Sequence, residues 1–311
     1  MLGSEIKIKG LDVILVKGDD AENFLQGQIT NDIKLLKKEN QAIYAGYCNP
    51  KGRLIAFFLV IKVWGNYFLF CPTSISAQIH KKLSMYVLRS KVFITMSDLS
   101  YFYFHGNTET EEEFKNIWGD VPFPTKLMET VQHPNEQNTK GLLSITKLPG
   151  ASGRFMVLGE DETIEMIYSK MTKNSDNQDI QSWNESDIEA KIPNIFKETQ
   201  EKFIPQSLNL DLINAINFKK GCYTGQEIVA RTHYRGKIKR RMYKAFCEYD
   251  GILQYGDDIF FDQDVVGHII NFSQYNKKYN LLIELKIDAA TKPITLKNEP
   301  LEIYDYDEIK E

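Results

Sequence analysis

Short strand-like runs that follow Lys237 constrain the fold more than any other feature of this sequence. Glycine, aspartate and asparagine turns separate these runs, which are MYKAFCEY, DDIFFD, VVGHIINF, YNLLIEL and LEIYDYD. Runs of this length and spacing are typical of antiparallel sandwiches and barrels. The sequence therefore predicts an all-β C-terminal domain over residues 237–311.

The residues before that domain alternate strand patterns with helix patterns. DVILVKG predicts a strand, and DDAENFLQG predicts a short helix that begins at Asp19 or Asp20 and stops at Gly27. TNDIKLLKK predicts a second helix, with Thr30 or Asn31 as its N-cap. Strand and helix therefore follow each other from the start of the chain.

Further runs continue the alternation. NPKGRLIAFFLVIKVWGNYFLFC predicts a turn and two strands joined at Gly65 and Asn66, SISAQIHKKLSMYVL predicts a helix, and KVFITM predicts a strand. YFYFHG, GRFMVLG and TIEMIYSKM predict a second subdomain at roughly residues 101–180, and TKNSDNQDIQS predicts an exposed connection. Residues 1–236 are therefore predicted to form an α+β region.

Length and charge limit the classes of function. A chain of 311 residues is long enough for two or three compact domains. Its formal net charge of −4 disfavours bulk attraction to nucleic acid or anionic membranes, so an anion site requires a local cluster of Lys and Arg. No apolar stretch of the sequence approaches the roughly 18 residues that span a bilayer. We expect a monomeric, cytoplasmic protein without a membrane partner.

The four cysteines are not spaced as metal ligands. Cys48, Cys71, Cys222 and Cys247 form no C-x-x-C pair, and none has a histidine at a metal-ligand interval. A large chain of cytosolic character is also a poor context for disulfides. We expect free thiols and no metal site made by this chain alone.

One of these cysteines lies between two glycines in the segment KKGCYTGQEIVART. Glycine permits backbone turns with positive φ, or the close backbone approach that a ligand-facing loop needs. Thr224 is predicted to cap a helix that begins near Gly225, with Glu227 completing a capping box. The helix N-terminus and the nearby Lys219 and Lys220 would then favour the thiolate of the cysteine. A buried structural cysteine in a turn is the alternative interpretation.

The octamer KGCYTGQE closely resembles the signature of the YgfZ family, folate-binding proteins of iron–sulfur-cluster maintenance. This family is related to the T-protein, the aminomethyltransferase of the glycine cleavage system. GDDAENFLQGQITNDI, NPKGRLIAFF and SDIEAKIP resemble its other motifs, in the same order. The resemblance implies an α+β, T-protein-like folate-binding region of two intertwined ferredoxin-like halves, followed by an antiparallel β-barrel.

The resemblance also implies a cofactor, tetrahydrofolate or another reduced folate, and the residues that bind it. Trp183 is implied to pack against the folate, and Glu189 is implied to pair with its pterin ring. Without the resemblance, a core tryptophan and a helix charge would be the preferred interpretations of this pair. Cys222 is implied to be a functional thiol. The other implied cofactor-binding residues are Leu11, Asn31, Gly221, Tyr223, Gly225, Gln226 and Arg231.

The sequence departs from the related patterns in three places. Leu11 stands where some family members have a tryptophan, and Lys191 stands where the family usually has a glycine. Ala56 and Phe57 occupy the positions where the T-protein resemblance implies an acidic residue for aminomethyl transfer. Without that charge, general acid–base or electrostatic assistance of the transfer is lost. We therefore expect that folate binding is retained and that the parent chemistry is abandoned.

A dense basic segment, RTHYRGKIKRRMYK, follows the octamer and leaves three interpretations open. It is a solvated strand, or an anion surface for the glutamate tail of folate or for an acidic partner. The third interpretation is direct RNA binding, which ranks lowest because only His233, Tyr234 and Tyr243 supply aromatic rings. We regard direct nucleic-acid binding as the least favoured of the three.

Two classes of function are compatible with these features. The resemblance implies an accessory protein that supports iron–sulfur clusters in client enzymes, including tRNA-modifying methylthiotransferases. The alternative is a folate-dependent one-carbon transferase that moves an aminomethyl or methyl group with a different acid, for which Asp32 is the nearest candidate. The partners expected for the accessory protein are folate and the iron–sulfur client or assembly proteins.

Overall fold

The computed structural model describes most of the chain, namely residues 6–37, 41–106, 108–119, 122–133, 141–150, 153–171 and 179–304. Strands and helices alternate first. They are β1 (Leu11–Lys17), α1 (Ala21–Gln26), β2 (Ala42–Cys48), β3 (Leu54–Val63), β4 (Asn66–Pro72), α2 (Thr73–Met85) and β5 (Phe93–Met96). The strands form one sheet in the order β2-β3-β4-β1-β5. The predicted order of strands and helices in this part of the chain is therefore observed.

The helix predicted for the segment TNDIKLLKK is a short 3-10 helix over Ile33–Lys37, interrupted by a kink at Leu36, and neither Thr30 nor Asn31 caps it. The two expected cap residues bond to other parts of the chain. The Thr30 hydroxyl donates to the carbonyl oxygen of Ala215, and the Asn31 amide donates to that of Asn214. Because these side chains are committed to tertiary hydrogen bonds, they do not cap the helix.

A second group of elements follows, and most of them contribute to an aromatic core. It comprises β6 (Ser100–His105), α3 (Thr108–Trp118), β7 (Thr130–His133), β8 (Leu143–Leu148), β9 (Arg154–Gly159), α4 (Asp161–Met171) and α5 (Ile180–Glu189). The antiparallel sheet has the order β6-β9-β8-β7, and its core contains Phe102, Phe104, Phe114 and Phe155. Most of the predicted connection TKNSDNQDIQS lies outside the described residues, and its final residues belong to α5.

After helix α6 (Gln226–Tyr234), the described residues form strands joined by turns and one short 3-10 helix over Ile287–Ala289. The strands are β10 (Arg240–Glu248), β11 (Asp258–Phe261), β12 (Asp264–Tyr275), β13 (Lys278–Lys286), β14 (Thr295–Leu296), β15 (Glu299–Pro300) and β16 (Glu302–Ile303). They form a sheet in the order β15-β14-β11-β12-β13-β10-β16. The two end strands, β15 and β16, are separated only by Leu301, so the ends of the sheet must meet. The predicted C-terminal barrel is confirmed.

The chain forms two compact units. The first contains Met1–Phe24, Ile33–Ile43 and Leu59–Trp183, and the second contains Leu25–Asp32, Tyr44–Phe58 and Asn184–Glu311. The octamer KGCYTGQE and the stretch Leu25–Asp32 of the first motif both belong to the second unit. The geometry of the octamer can therefore be followed within one unit. Among the described residues, no helix combines the length and the apolar character that crossing a bilayer requires.

Candidate functional site

Lys220 anchors the octamer to the first motif. Its ammonium group donates to the carbonyl oxygens of Gln26 and Ile29, at 2.7 Å each, and to that of Asn31 at 2.8 Å. The side chain is buried, and the ammonium also lies 5.1 Å from the ring centroid of Tyr223. The lysine thus caps the last carbonyl group of α1 and also holds two carbonyl groups of the segment that follows the helix.

The burial of this ammonium has an electrostatic cost. Burial lowers the pKa of Lys220 to about 8, and the carboxylate of Asp32 acts in the opposite direction. The amine therefore stays mostly protonated at neutral pH. Its hydrogen bonds go to the three carbonyl groups and not to the thiol of Cys222. The prediction that Lys220 favours the thiolate of Cys222 therefore has no hydrogen bond to support it.

Two glycines allow the octamer to pack closely on the turn of the NPKGR motif. Gly225 has φ +83°, and a Cβ there would lie 2.5 Å from the carbonyl oxygen of Asn49 and 3.0 Å from the Cα of Gly52. Gly52 has φ +69°, and its Cβ would lie 2.8 Å from the Cβ of Ile228. The Asn49 side chain holds this turn by accepting from the backbone N–H of Lys51 and Arg53. Only glycine fits at both positions.

The start of α6 differs from the sequence-based prediction. Gly225, and not Thr224, is the N-cap, and no side chain caps the helix. The predicted box partner, Glu227, instead accepts a hydrogen bond of 2.8 Å from the Arg231 guanidinium one turn later. The prediction of a capping box was wrong because the left-handed conformation of Gly225 sets the start of the helix.

Cys222 and Gly221 lie on the exposed part of the loop between these two anchors. The Cys222 side chain is exposed and free, whereas Cys48, Cys71 and Cys247 are buried. Gly221 differs from Gly225 because its φ is not positive and a Cβ there would meet no atom within 4 Å. The packing of the described residues therefore does not require glycine at position 221.

The other predicted folate contacts of the second unit occupy different environments. Asn31 is buried, and its amide donates to the carbonyl oxygens of Tyr44 and Asn214, at 2.8 Å each. Tyr223 is also buried, and burial together with Cys48 raises the pKa of its phenol. Gln226 is half-buried at the first position of α6, and Arg231 is exposed. The structure therefore brings Asn31, Lys220 and Tyr223 together beneath the exposed loop.

Trp183 and Leu11 lie in the interior of the first unit. Trp183 is 3% exposed, and the guanidinium carbon of Arg154 lies 3.7 Å from its ring centroid, with Tyr103 edge-on at 5.4 Å. The backbone carbonyl of Leu11 accepts a hydrogen bond from the Tyr101 hydroxyl at 2.6 Å. A cation lying over one face of the indole occupies that face. The predicted contacts of Trp183 and Leu11 with folate stay predictions.

Glu189 is the last residue of α5 and is exposed. It lines a cleft of about 380 Å³ in the second unit, together with Glu185, Lys244 and Tyr304. Six positions along an α-helix correspond to a rotation of about 240°, so Glu189 and Trp183 leave α5 in different directions. The pairing of Glu189 with a pterin also stays a prediction.

Lys191 follows α5 at the position where the related family usually has glycine. Its φ is +57°, its N–H donates to the carbonyl oxygen of Ile188, and the N–H of Ile192 donates to that of Asp187. This pair of hydrogen bonds is the Schellman motif, in which the left-handed residue is most often glycine. The departure therefore places a lysine in a conformation that disfavours side chains.

The positions that lack the T-protein acid are apolar and buried. Ala56 and Phe57 are 0% and 2% exposed, and the Phe57 ring stacks on that of Tyr44 with centroids 5.5 Å apart. The alternative acid, Asp32, is half-buried and accepts a hydrogen bond from the Gln26 amide at 2.9 Å. Among the described residues, no cluster of His, Cys, Asp or Glu could hold a metal ion.

The basic segment separates into paired and unpaired charges. Arg241 is buried and donates to both carboxylate oxygens of Asp211, at 2.8 and 3.0 Å. Arg240 pairs with Glu284 at 2.6 Å. The three remaining exposed cations with no ion pair to any described residue are Arg235, Lys237 and Lys239. The segment is therefore partly structural and partly a cationic surface.

Two contacts of the site were not predicted from the sequence, namely the three-carbonyl cage of Lys220 and the packing of Gly225 on Gly52. The cage depends on carbonyl groups about 190 residues earlier in the chain, which no local pattern reports. The second contact had a signal, since NPKGR and KGCYTGQE both contain an isolated glycine beside turn residues. That signal indicates a turn but does not say that the two turns touch.

Comparison of the structure with solved structures defines the class of protein. The chain has the fold of the glycine cleavage system aminomethyltransferase T from Bartonella henselae, with a TM-score of 0.73 over 96% of this chain and 84% of that one. The two sequences are 12% identical, so the likeness shows the fold alone. The protein is thus a T-protein-fold chain with a C-terminal barrel.

Sequence comparison then gives the family. The chain is 30% identical to the tRNA-modifying protein YgfZ of Yersinia enterocolitica over 240 residues, which cover 74% of this chain and 67% of that protein. It is 31% identical to that of Hamiltonella defensa, over 74% and 66%, and 28% identical to that of Escherichia coli strain SE11, over 78% and 72%. No protein-family model matches. The chain belongs to the YgfZ family, as the octamer predicted.

Proposed function

We propose that this chain is a reduced-folate-binding accessory protein that supports the assembly or repair of iron–sulfur clusters in client enzymes. The clients include tRNA-modifying methylthiotransferases, and the protein acts in the cytoplasm. The observation that carries the proposal is the exposed thiol of Cys222 on a loop that Lys220 and Gly225 anchor on either side. The relatives of this chain are named tRNA-modifying proteins, which agrees with clients of that kind.

The thiol is set apart from the other cysteines by its surroundings. Burial raises the pKa of Cys48 to about 12 and that of Cys247 to about 11, and it raises the pKa of Cys71 as well. A thiol with a raised pKa is a weak nucleophile and a weak metal ligand at neutral pH. Cys222 is the exposed one of the four and is the residue that a client protein can reach.

Folate binding is the second part of the proposal. The fold is that of a T-protein, and the predicted contacts are Trp183, Glu189, Leu11, Asn31, Gly221, Tyr223, Gly225, Gln226 and Arg231. Gly221 supports it directly, because packing and φ do not require a glycine there, whereas a ligand that approaches the backbone does. The flat pterin ring needs both an open surface and a carboxylate for its amino-pyrimidine edge.

Isothermal calorimetry with tetrahydrofolate tests this part through Glu189→Gln. We expect the affinity to fall about tenfold or more, because a charge-assisted hydrogen bond contributes roughly 1.5–3 kcal/mol. Glu185→Gln is the matched control, since Glu185 lies one turn earlier on α5 and lines the same cleft. The control should bind within about twofold of the wild type. Equal affinities for both variants would remove Glu189 from the site, and no binding by the wild type would overturn the folate proposal.

A second set of variants tests the open space over Gly221. Gly221→Val should weaken folate binding without lowering the unfolding midpoint, because the added Cβ meets no described atom within 4 Å while the side chain occupies the space of the ligand. Lys219→Val, two residues earlier on the same exposed loop, should leave the affinity unchanged. Unchanged affinity in Gly221→Val would show that folate does not approach this backbone.

The alternative function, one-carbon transfer, is tested by turnover. Asp32 is its nearest candidate acid, since Ala56 and Phe57 are buried and apolar. The accessory role predicts no steady-state turnover of an aminomethyl or methyl donor with tetrahydrofolate. Turnover that is lost in Asp32→Asn would replace the accessory role with catalysis.

A further inference from the structure

A cationic cleft of about 460 Å³ lies in the second unit, at the C-terminal end of α6. Its lining includes Arg53, Lys202, Lys237, Lys239 and Arg240, together with the single carboxylate of Glu284. Five cationic side chains and one carboxylate line the cleft. The whole chain has a formal net charge of −4, so the cleft is positive although the protein is negative overall. Such a concentration of one sign raises the local concentration of anionic ligands.

Most of these charges are available to a ligand. Arg240 is neutralised by Glu284, but Arg53 donates to the backbone carbonyl of Lys202, and the Lys202 ammonium donates to that of Gly256. Bonds to neutral carbonyl groups leave the cationic charge in place. Lys237 and Lys239 are exposed and form no ion pair within the described part of the chain. The cleft therefore suits a ligand with several negative charges.

Three aromatic rings lie at the C-terminal end of α6, which supplies part of the cleft lining. The ring of Phe218 lies parallel to that of His233 with centroids 3.7 Å apart, and the ring of Tyr234 packs edge-on against His233 at 4.7 Å. His233 is exposed, and Tyr234 is 65% exposed. Both lie between Thr232 and Gly236, two residues that line the cleft. The three rings, called the aromatic triad below, are thus grouped at a stretch of chain that also contributes to the cationic cleft.

The triad supplies the aromatic surface that the sequence of the basic segment lacks. Tyr243, one of the three rings in that segment, is buried in the core of the barrel, whereas Phe218, which lies outside the segment, is brought onto His233 by the fold. Exposed rings beside a cationic groove are the usual means of binding single strands, because every unstacked base can lie against a ring while phosphates meet the cations. The bases of a duplex are stacked and paired and cannot do so.

We propose that the cationic cleft and the aromatic triad together bind a single-stranded segment of RNA. The phosphates lie along Arg53, Lys202, Lys237 and Lys239, and one or two bases lie against His233 and Tyr234. This activity goes beyond folate binding and cluster maintenance. It would place an RNA on the same unit as the exposed thiol.

Fluorescence anisotropy with a labelled, unstructured RNA of about 12 nucleotides tests the proposal. The charge variant is Lys237→Glu with Lys239→Glu, and its matched control is Lys81→Glu with Lys170→Glu, two exposed lysines of helices α2 and α4. The charge variant should lose at least tenfold in affinity at about 50 mM salt, and the slope of log affinity against log salt should fall by about one to two. The control should lose less than about threefold.

The aromatic arm separates RNA from a general anion. Tyr234→Ala should weaken binding about fivefold or more with the salt slope unchanged, since a stacked base contributes roughly 1–3 kcal/mol. Tyr275→Ala, at a ring that is 79% exposed in the barrel, is its control. Binding of duplex RNA or of an oligoglutamate peptide of equal charge as tightly as the single strand would overturn the proposal. Absence of wild-type binding, or equal losses in variants and controls, would do the same.

Discussion

The ammonium nitrogen of Lys220 lies 2.7 Å from the carbonyl oxygen of Ile29, a residue 191 positions earlier in the chain. Two further hydrogen bonds, to the carbonyl oxygens of Gln26 and Asn31, complete the cage. The position of the octamer is therefore set by the backbone of the first motif. The exposed thiol of Cys222 is two residues from this anchor.

Replacement of the anchor should destabilise the protein strongly. Lys220→Met retains much of the apolar stem but leaves three carbonyl groups without their donor, and we expect a loss of about 3 kcal/mol in the free energy of unfolding. Lys219→Met, at the exposed neighbour, should change it by less than about 0.5 kcal/mol. Urea unfolding measures both values. Equal stabilities of the two variants would mean that the cage contributes nothing to folding.

The two glycines of the octamer should respond in opposite ways to alanine. Gly225→Ala forces a Cβ to within 2.5 Å of the Asn49 carbonyl oxygen at a positive φ, and we expect a loss of about 2 kcal/mol or more. Gly221→Ala meets no neighbour and should be neutral or slightly stabilising. Thermal unfolding of both variants provides the comparison. Similar losses would show that φ and packing do not distinguish the two positions.

Lys191→Gly should stabilise the protein. The left-handed conformation at φ +57° costs a lysine roughly 1 kcal/mol, and glycine adopts it freely, although glycine also loses more entropy on folding. We expect a net gain of about 0.5 kcal/mol in chemical denaturation. Ala190→Gly, one residue earlier and without a positive φ, should lower stability. A loss of stability in Lys191→Gly would contradict the strain at this helix end.

The pH dependence of alkylation should separate the cysteines. Because burial raises the pKa of Cys48 to about 12 and that of Cys247 to about 11, both stay protonated from about pH 7 to pH 9 and react slowly. Iodoacetamide labelling in this range should therefore appear almost entirely at Cys222. Mass spectrometry of the labelled peptides gives the rate for each thiol. Faster labelling of any buried cysteine would show that the loop does not expose the reactive thiol.

Local sequence patterns predicted the strands of the barrel, but they did not predict the contacts that hold the octamer in place. Turn residues between short apolar runs predicted the strands from Arg240 onward, since such spacing leaves few other folds. The octamer could be recognised, but its anchors could not, because the cage of Lys220 and the contact of Gly225 with Gly52 join segments far apart in sequence. Thr224 was predicted as the N-cap from its side chain, whereas the observed start follows from the φ of Gly225.

The most direct test of the central claim, that Cys222 is a functional thiol, is complementation by Cys222→Ser. In a strain that lacks its own family member, the variant should fail to restore the activity of iron–sulfur enzymes, while purified Cys222→Ser binds tetrahydrofolate within about twofold of the wild type. Cys247→Ser, at a buried thiol, should restore activity if it accumulates to the wild-type level. Full restoration by Cys222→Ser would contradict the claim and leave the thiol without a role in cluster support.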